Sequence, residues 1–164
     1  GKWFMHEESI RVPLIVHDPR LPERLRDKRR GEMVLNIDIA PTLLELAGVP
    51  ASPSVQGRAL MPLVRGGKPR WREEWFYSHL YGYKLIPKSE GIRTRRWKYI
   101  RYIESEPLCE ELYDLKRDPL EENNLARESG HARQLEKLRG RWQAWRDALP
   151  RWRVDEKWND PEVS

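Results

Sequence analysis

The chain of 164 residues carries 31 Lys and Arg against 26 Asp and Glu, a formal net charge of +5, with 38% hydrophobic and 35% charged residues. That length suits one compact domain or two small lobes, and 8 Trp with 6 Tyr supply the bulk for a core, which excludes wholesale disorder. No window approaches the roughly 18 consecutive apolar residues of a membrane span, and the single cysteine, Cys109, excludes an internal disulfide and a cysteine-based zinc cluster.

The chain opens Gly1-Lys2-Trp3 with no initiator Met or signal segment and reaches patterned sequence within ten residues, so it reads as a piece of something longer. Val12 to Val16 form a nearly continuous apolar run, the pattern of a strand buried on both faces of a parallel sheet. Residues 19–31 are basic, punctuated by proline and without apolar period, an exposed loop. A short amphipathic helix is expected over 39–47. Pro41 suits only a first turn, Ile39, Leu43, Leu46 and Ala47 share a face, and Gly48 stands where a C-terminal cap belongs. The stretch from Val49 to Arg72, rich in proline and glycine, reads as a linker packed over a surface, with one helical turn near 59–64.

A second lobe begins near Arg70. Residues 74–79, 91–94, 97–103 and 111–115 are short and rich in aromatic and β-branched side chains, and predict an antiparallel sheet of four strands with a tight hairpin at Arg95-Arg96. Asp118-Pro119 breaks the chain. Leu135, Leu138, Trp142, Trp145 and Leu149 then recur at spacings of three and four, a helix over 130–149 whose apolar stripe covers the sheet. Residues 150–164 show no period and read as a tail. The fold class is therefore α/β, divided into residues 1–69, 70–149 and the tail 150–164.

The residues supply no self-contained active site. There is no Gly-rich phosphate loop, no His-Glu-x-x-His, no Gly-x-Ser-x-Gly and no carboxylate cluster of metal-ligand spacing. Glu106, Glu110 and Glu111 around Cys109 disfavour a thiolate. Arg24, Arg26, Lys28, Arg29 and Arg30 form a basic run, but no nucleic-acid motif accompanies it, and such a run is ordinarily a solvated loop. A non-catalytic accessory module, or one binding a polyanion such as a sulfated glycan, stands as the alternative to an enzyme part.

A set of motifs in order carries a more specific reading. The opening Gly1-Lys2-Trp3-Phe4-Met5-His6-Glu7-Glu8-Ser9-Ile10-Arg11-Val12-Pro13 resembles the sulfatase pattern of Gly-Lys, an aromatic-Glu pair, then Arg-x-Pro leading into a buried strand. Asp38-Ile39-Ala40-Pro41-Thr42-Leu43 resembles that family's Asp-x-x-Pro-Thr-Leu helix. Gly57-Arg58-Ala59-Leu60, then Ile92-Arg93-Thr94 with Trp97-Lys98-Tyr99-Ile100, then Glu111-Leu112-Tyr113-Asp114-Leu115 with Asp118-Pro119-x-Glu121 and Asn124-Leu125, continue the resemblance through most of residues 1–149. The chain is thus similar to the C-terminal part of an arylsulfatase or N-sulfoglucosamine sulfohydrolase.

The resemblance implies an alkaline-phosphatase-like fold, with residues 1–69 closing the catalytic α/β domain and 70–149 forming its C-terminal subdomain. It also implies hydrolysis of sulfate esters, or of sulfamates in some members, through a formylglycine, made from Cys or Ser, beside a divalent cation, usually calcium. Lys2 falls on the family's lysine that binds the sulfate oxygens. His6 stands where the family more often has Tyr, and with His79 and Tyr81, in the stretch from Tyr77 to Lys84, it is a candidate for substrate binding. Arg11 matches the Arg before x-Pro and is read as a buried ion-pair or hydrogen-bonding residue, and Glu7 is read as structural. The chain lacks the Cys/Ser-x-Pro-Ser-Arg and aspartate motifs, so it is expected to hold no cofactor and to be inactive alone. Its expected partners are the N-terminal part of the same protein and a sulfated small molecule or glycan, with self-association through an open strand edge. A periplasmic or secreted parent follows from the resemblance alone.

Overall fold

The computed structural model describes residues 3–80 and 86–149. The tail expected over 150–164 lies outside them. The chain divides into two compact units, one of Gly1–Val12 with Glu74–Ser164 and the other of Pro13–Glu73. No described helix is long and apolar enough to cross a membrane.

The first unit is built on an antiparallel sheet whose strands follow chain order: β1 Glu74–His79, β2 Ser89–Thr94, β3 Trp97–Tyr102 and β4 Cys109–Asp114. Only Arg95 and Arg96 connect β2 to β3. Neither is a favoured hairpin residue. The Thr94 hydroxyl closes the turn instead, accepting the Trp97 N–H at 2.9 Å and donating to the Trp97 carbonyl at 3.1 Å.

Strand alternation sorts the side chains onto two faces. Phe76, Ile92, Tyr99 and Leu112 lie in register across one of them. There the helix α1 to α4 series ends with its longest member: after α1 (Glu7–Ile10), α2 (Ile39–Leu46) and α3 (Met61–Val64), α4 spans Ala132–Ala148. It buries Leu135, Leu138 and Trp142 against Ile92, Tyr99 and Leu112. The Trp142 ring is clasped by Arg101 and Arg146, at 4.7 and 5.2 Å, and its Nε1–H donates to buried Glu90 at 3.0 Å. Trp145, expected on the same stripe, is 37% exposed at the sheet edge, where it stacks on Phe76 and donates to Glu74.

The other face carries Gly91, Arg93, Lys98, Ile100 and Tyr113, and it is covered by the N-terminal segment. Met5 is fully buried there with Ile100, Tyr102 and Tyr113. A Cβ on Gly91 would overlap the Met5 sulfur and the Tyr99 carbonyl oxygen, so only glycine permits this approach. The described residues 3–12 accordingly pack on the sheet, whereas the expected division grouped them with the lobe 1–69.

The strand expected over 12–16 is not formed. No described strand pairs with it, and Val12, Leu14, Ile15 and Val16 are all exposed. A run buried on both faces needs parallel neighbours, and the described sheet is antiparallel throughout.

The second unit is organised by Asp38, which has no exposed surface. Its carboxylate accepts two hydrogen bonds from Arg72, at 2.5 and 2.6 Å, and one each from the backbone N–H of Leu35 and Arg58, both at 2.8 Å. Burial pushes this carboxyl up, but Arg72 and the two amides outweigh it and hold it below the usual range. Thr42 Oγ1 donates to the Asp38 carbonyl at 2.5 Å and accepts the Leu60 N–H at 2.9 Å. A side chain at position 57 would collide with the Ile37 carbonyl, which explains Gly57 between them. This fastening also corrects the expected facing of the helix. In α2 the buried residues are Pro41 and Thr42, the latter bonded to the Leu60 amide, whereas Ile39, Leu43 and Leu46 are exposed. Gly48 follows the helix end with φ +69°, as a C-terminal cap requires.

Truncation of Leu138, 1% exposed beneath the sheet, removes contacts that the surroundings cannot restore. Leu138→Ala is expected to lower unfolding free energy by about 2–5 kcal/mol, against about 0.5 kcal/mol or less for exposed Leu120→Ala. Urea unfolding followed by tryptophan fluorescence checks this, and equal effects would refute the assigned core.

Candidate functional site

The residues with most to say about function are those of the N-terminal segment and the sheet face beneath it. Three attachments hold the segment. At its start the Tyr77 hydroxyl donates to the Trp3 carbonyl at 3.2 Å, and the Trp3 ring lies 5.9 Å from that of His79. In the middle Met5 is sealed over Gly91. At the end Glu7 enters a cluster of charges.

Glu7 accepts paired hydrogen bonds from Arg93, both at 3.0 Å, and lies 2.9 Å from Lys98 Nζ. Lys98 is also 2.5 Å from Glu121 Oε1, without hydrogen-bond alignment, so this contact is ionic. The other Glu121 oxygen accepts the Glu7 backbone N–H at 2.6 Å. Two cations thus face two carboxylates, and the Lys98 and Glu121 side chains have almost no exposed surface. Burial pushes the Glu7 carboxyl up, but Arg93 and Lys98 more than offset this and hold it at about 2.

A second network lies beside it. Glu111 accepts the hydroxyls of Tyr102 and Tyr113, at 2.9 and 3.1 Å, and stands 3.3 Å from His6 Nε2. Burial, and then the Glu111 carboxylate, push both phenols far above their usual range, so they remain protonated donors.

These contacts locate the site residues expected from sequence. Lys2 and Tyr81 lie outside the described residues. His79, at the end of β1, is brought against Trp3, next in sequence to Lys2, and its Nε2 is buried with no partner among the described residues. His6 is engaged by Glu111 and packs on Phe4 and Tyr113. Arg11, expected to be a buried ion-pair or hydrogen-bonding residue, is exposed, and its side chain has neither an ion pair nor a hydrogen bond among the described residues. It follows the last residue of α1, and Arg93 is the arginine that pairs with Glu7.

Arg93, Lys98 and Glu121 were not among the candidates drawn from sequence. One signal was available: in the alternation of β3, Lys98 falls on the same face as Ile100 and Tyr102, so it had to be buried and paired.

The family model described as N-sulphoglucosamine sulphohydrolase, C-terminal, matches residues 1–148. The chain belongs to this family. Among curated proteins it is similar to an N-acetylglucosamine-6-O-sulfatase of Bacteroides thetaiotaomicron, 34% identical in an alignment of 144 positions that covers 84% of this chain and 25% of that protein. It is also similar to mouse arylsulfatase K, 31% identical over 77% of this chain and 24% of that protein. Among solved structures it resembles a protein in complex with its substrate D-glucosamine-2-N,6-O-disulfate. The TM-score is 0.62 at 29% identity, covering 69% of this chain and 24% of that one. The chain spans about a quarter of the length of the relatives it matches.

Within this sulphohydrolase C-terminal unit the motif residues are mostly anchors. Asp114 receives Arg96 at 2.9 and 2.6 Å, Asp118 accepts the N–H groups of Glu122 and Asn123, and Asn124 bridges Leu112, Ala126 and Glu110. The described residues do not fit a calcium site, since no group of three or more His, Cys, Asp or Glu is arranged to hold a metal. Cys109, the single cysteine, is exposed on β4. Among the described residues the arrangement fastens the N-terminal segment to the sheet at Trp3, Met5 and Glu7.

The depressed Glu7 carboxyl has a consequence for stability. Relative to an unfolded value near 4.5, its folded value of about 2 contributes stability that is complete above pH 4.5 and is lost as pH falls toward 2. Glu7→Gln is therefore expected to be less stable than the parent at pH 7 and to lose stability less steeply between pH 5 and 3. A residual slope remains because Asp38, Glu74, Glu110 and Asp114 are also lowered. Urea midpoints at several pH values measure both, and an unchanged slope would contradict the assignment.

Proposed function

We propose that this chain is the C-terminal part of a sulfatase that hydrolyses sulfate esters on sulfated glycans, with Lys2 binding the sulfate oxygens. The observation carrying this reading is that the segment following the Gly1-Lys2 motif is pinned at Trp3, Met5 and Glu7 to the sheet of a sulphohydrolase C-terminal unit. A sulfuryl group spreads negative charge over its oxygens as the ester bond breaks. A cation held at a fixed place stabilises that charge without reorganisation at the moment of reaction. His79 and Tyr81 are proposed to border the substrate, His79 because it packs on the residue after Lys2. His6 is assigned to the support beneath, through Glu111.

The substrate class is proposed to be sulfated glucosamine units. The names of the similar N-acetylglucosamine-6-O-sulfatase and of the protein solved with D-glucosamine-2-N,6-O-disulfate support it. The nucleophile and metal, formylglycine and calcium by family resemblance, are proposed to come from the remainder of a longer protein, periplasmic or secreted. Exposed Ile39, Leu43 and Leu46 on α2 and the exposed run 12–16 are the apolar surface that such a remainder would cover.

Two outcomes test the reading. The 164-residue chain alone is expected to show no sulfate release from 4-nitrophenyl sulfate or from 6-O-sulfated N-acetylglucosamine, whereas the longer protein turns over at least one. In that protein Lys2→Ala is expected to lower kcat/KM by about 10²–10³. Turnover by the chain alone, or an unchanged Lys2→Ala variant, would overturn it.

A further inference from the structure

We infer that Arg93, Lys98 and Glu121 are positioning residues that lock Glu7 onto the sheet and thereby fix the backbone that presents Lys2. This inference rests on the sulfate-binding role proposed for Lys2. None of the three need touch substrate. They act through Glu7, which receives Arg93 and Lys98 on its carboxylate and gives its own N–H to Glu121.

Three features mark this cluster as more than a stabilising one. A buried set of paired charges is generally no more stable than well-packed apolar side chains of the same volume, so stability alone does not account for it. What such a cluster supplies is geometry, because the paired hydrogen bonds from Arg93 allow Glu7 one orientation. Glu121 also sits at φ +58°, in the left-handed region that a non-glycine residue occupies at a cost, and from there its carboxylate serves both Lys98 and the Glu7 amide. Finally, Glu7 is five residues from Lys2, and a chain of five residues can reach about 16–18 Å. Fixing Glu7, with Met5 sealed over Gly91 and Trp3 held by Tyr77, removes most of that range.

The experiment uses the full-length protein that carries this chain, with 4-nitrophenyl sulfate as probe. The double variant Lys98→Met/Glu121→Gln removes one ion pair without leaving a net charge buried. Arg93→Lys keeps the charge and loses the paired hydrogen bonds, and is the milder change should the double variant fail to fold. Both are expected to lower kcat/KM by about 10–10²-fold, the scale of a misplaced reacting group. Exposed Glu8→Gln should leave it within about twofold.

The discriminating readout is the same comparison made with Lys2→Ala already present. A residue acting through Lys2 has its effect fall to less than about twofold there, whereas loss of general stability lowers both backgrounds equally. Amide hydrogen exchange supplies a readout independent of chemistry: residues 3–10 should lose protection while β3 and α4 keep theirs. If Lys2→Ala has no effect, the sulfate-binding role fails. If Lys2→Ala is impaired but the cluster variants keep full kcat/KM, or residues 3–10 keep their protection, the positioning role fails.

Discussion

Lys98 carries an ammonium to a position on β3 with no exposed surface, and much of the sheet unit follows from the need to meet that charge. A buried charge is tolerable only with its counter-charge in contact. Neither counter-charge comes from a neighbouring strand: Glu7 arrives from the N-terminal segment and Glu121 from the loop after β4. The lysine therefore ties together pieces of chain more than a hundred residues apart. Remove it, and Glu7 would keep only Arg93 while Glu121 would lose its counter-charge.

The family's motifs acquire a physical meaning in this light. Asp38, Thr42, Gly57 and Arg58 lie in two separate motifs, yet they form one hydrogen-bonded joint. Asp38 accepts the Arg58 amide, Thr42 accepts the Leu60 amide, and Gly57 is small because the Ile37 carbonyl occupies the space of its side chain. Asp114, Asp118 and Asn124 do the same for the chain leaving β4. Such residues direct backbone, and their substitution would disturb position before it disturbed chemistry.

Much of this was legible in the sequence wherever a segment's burial is decided by its own neighbours. The alternation in 74–79 and 97–103 and the three-and-four spacing of Leu135, Leu138 and Trp142 marked β1, β3 and α4, because strands and helix bury one another within a single unit. The run Val12–Val16 and the apolar face of α2 were misread for the opposite reason. Their pattern signals burial but not by what, and the described residues leave them exposed. The charged cluster was hidden differently. Arg93, Lys98 and Glu121 were visible as motif letters, but their meeting depends on register between β2 and β3 and on the turn at Glu121, which no local pattern encodes.

The sheet has two faces, and the functional reading turns on their being different in kind. Toward α4 it offers Ile92, Tyr99 and Leu112, a packed apolar surface that tolerates small adjustments among side chains of similar volume. Toward the N-terminal segment it offers a glycine that excludes any side chain, a bidentate arginine and a buried lysine, none of which permits a shifted register. Adaptable packing suits an element whose task is to hold the unit together. Rigid, directional contacts suit one whose register over the sheet must be unique. Because residues 91–93 and 98–100 contribute to both faces through alternate side chains, a disturbance under α4 reaches the N-terminal segment through the strands themselves, so the packing on one face and the attachment on the other are not independent.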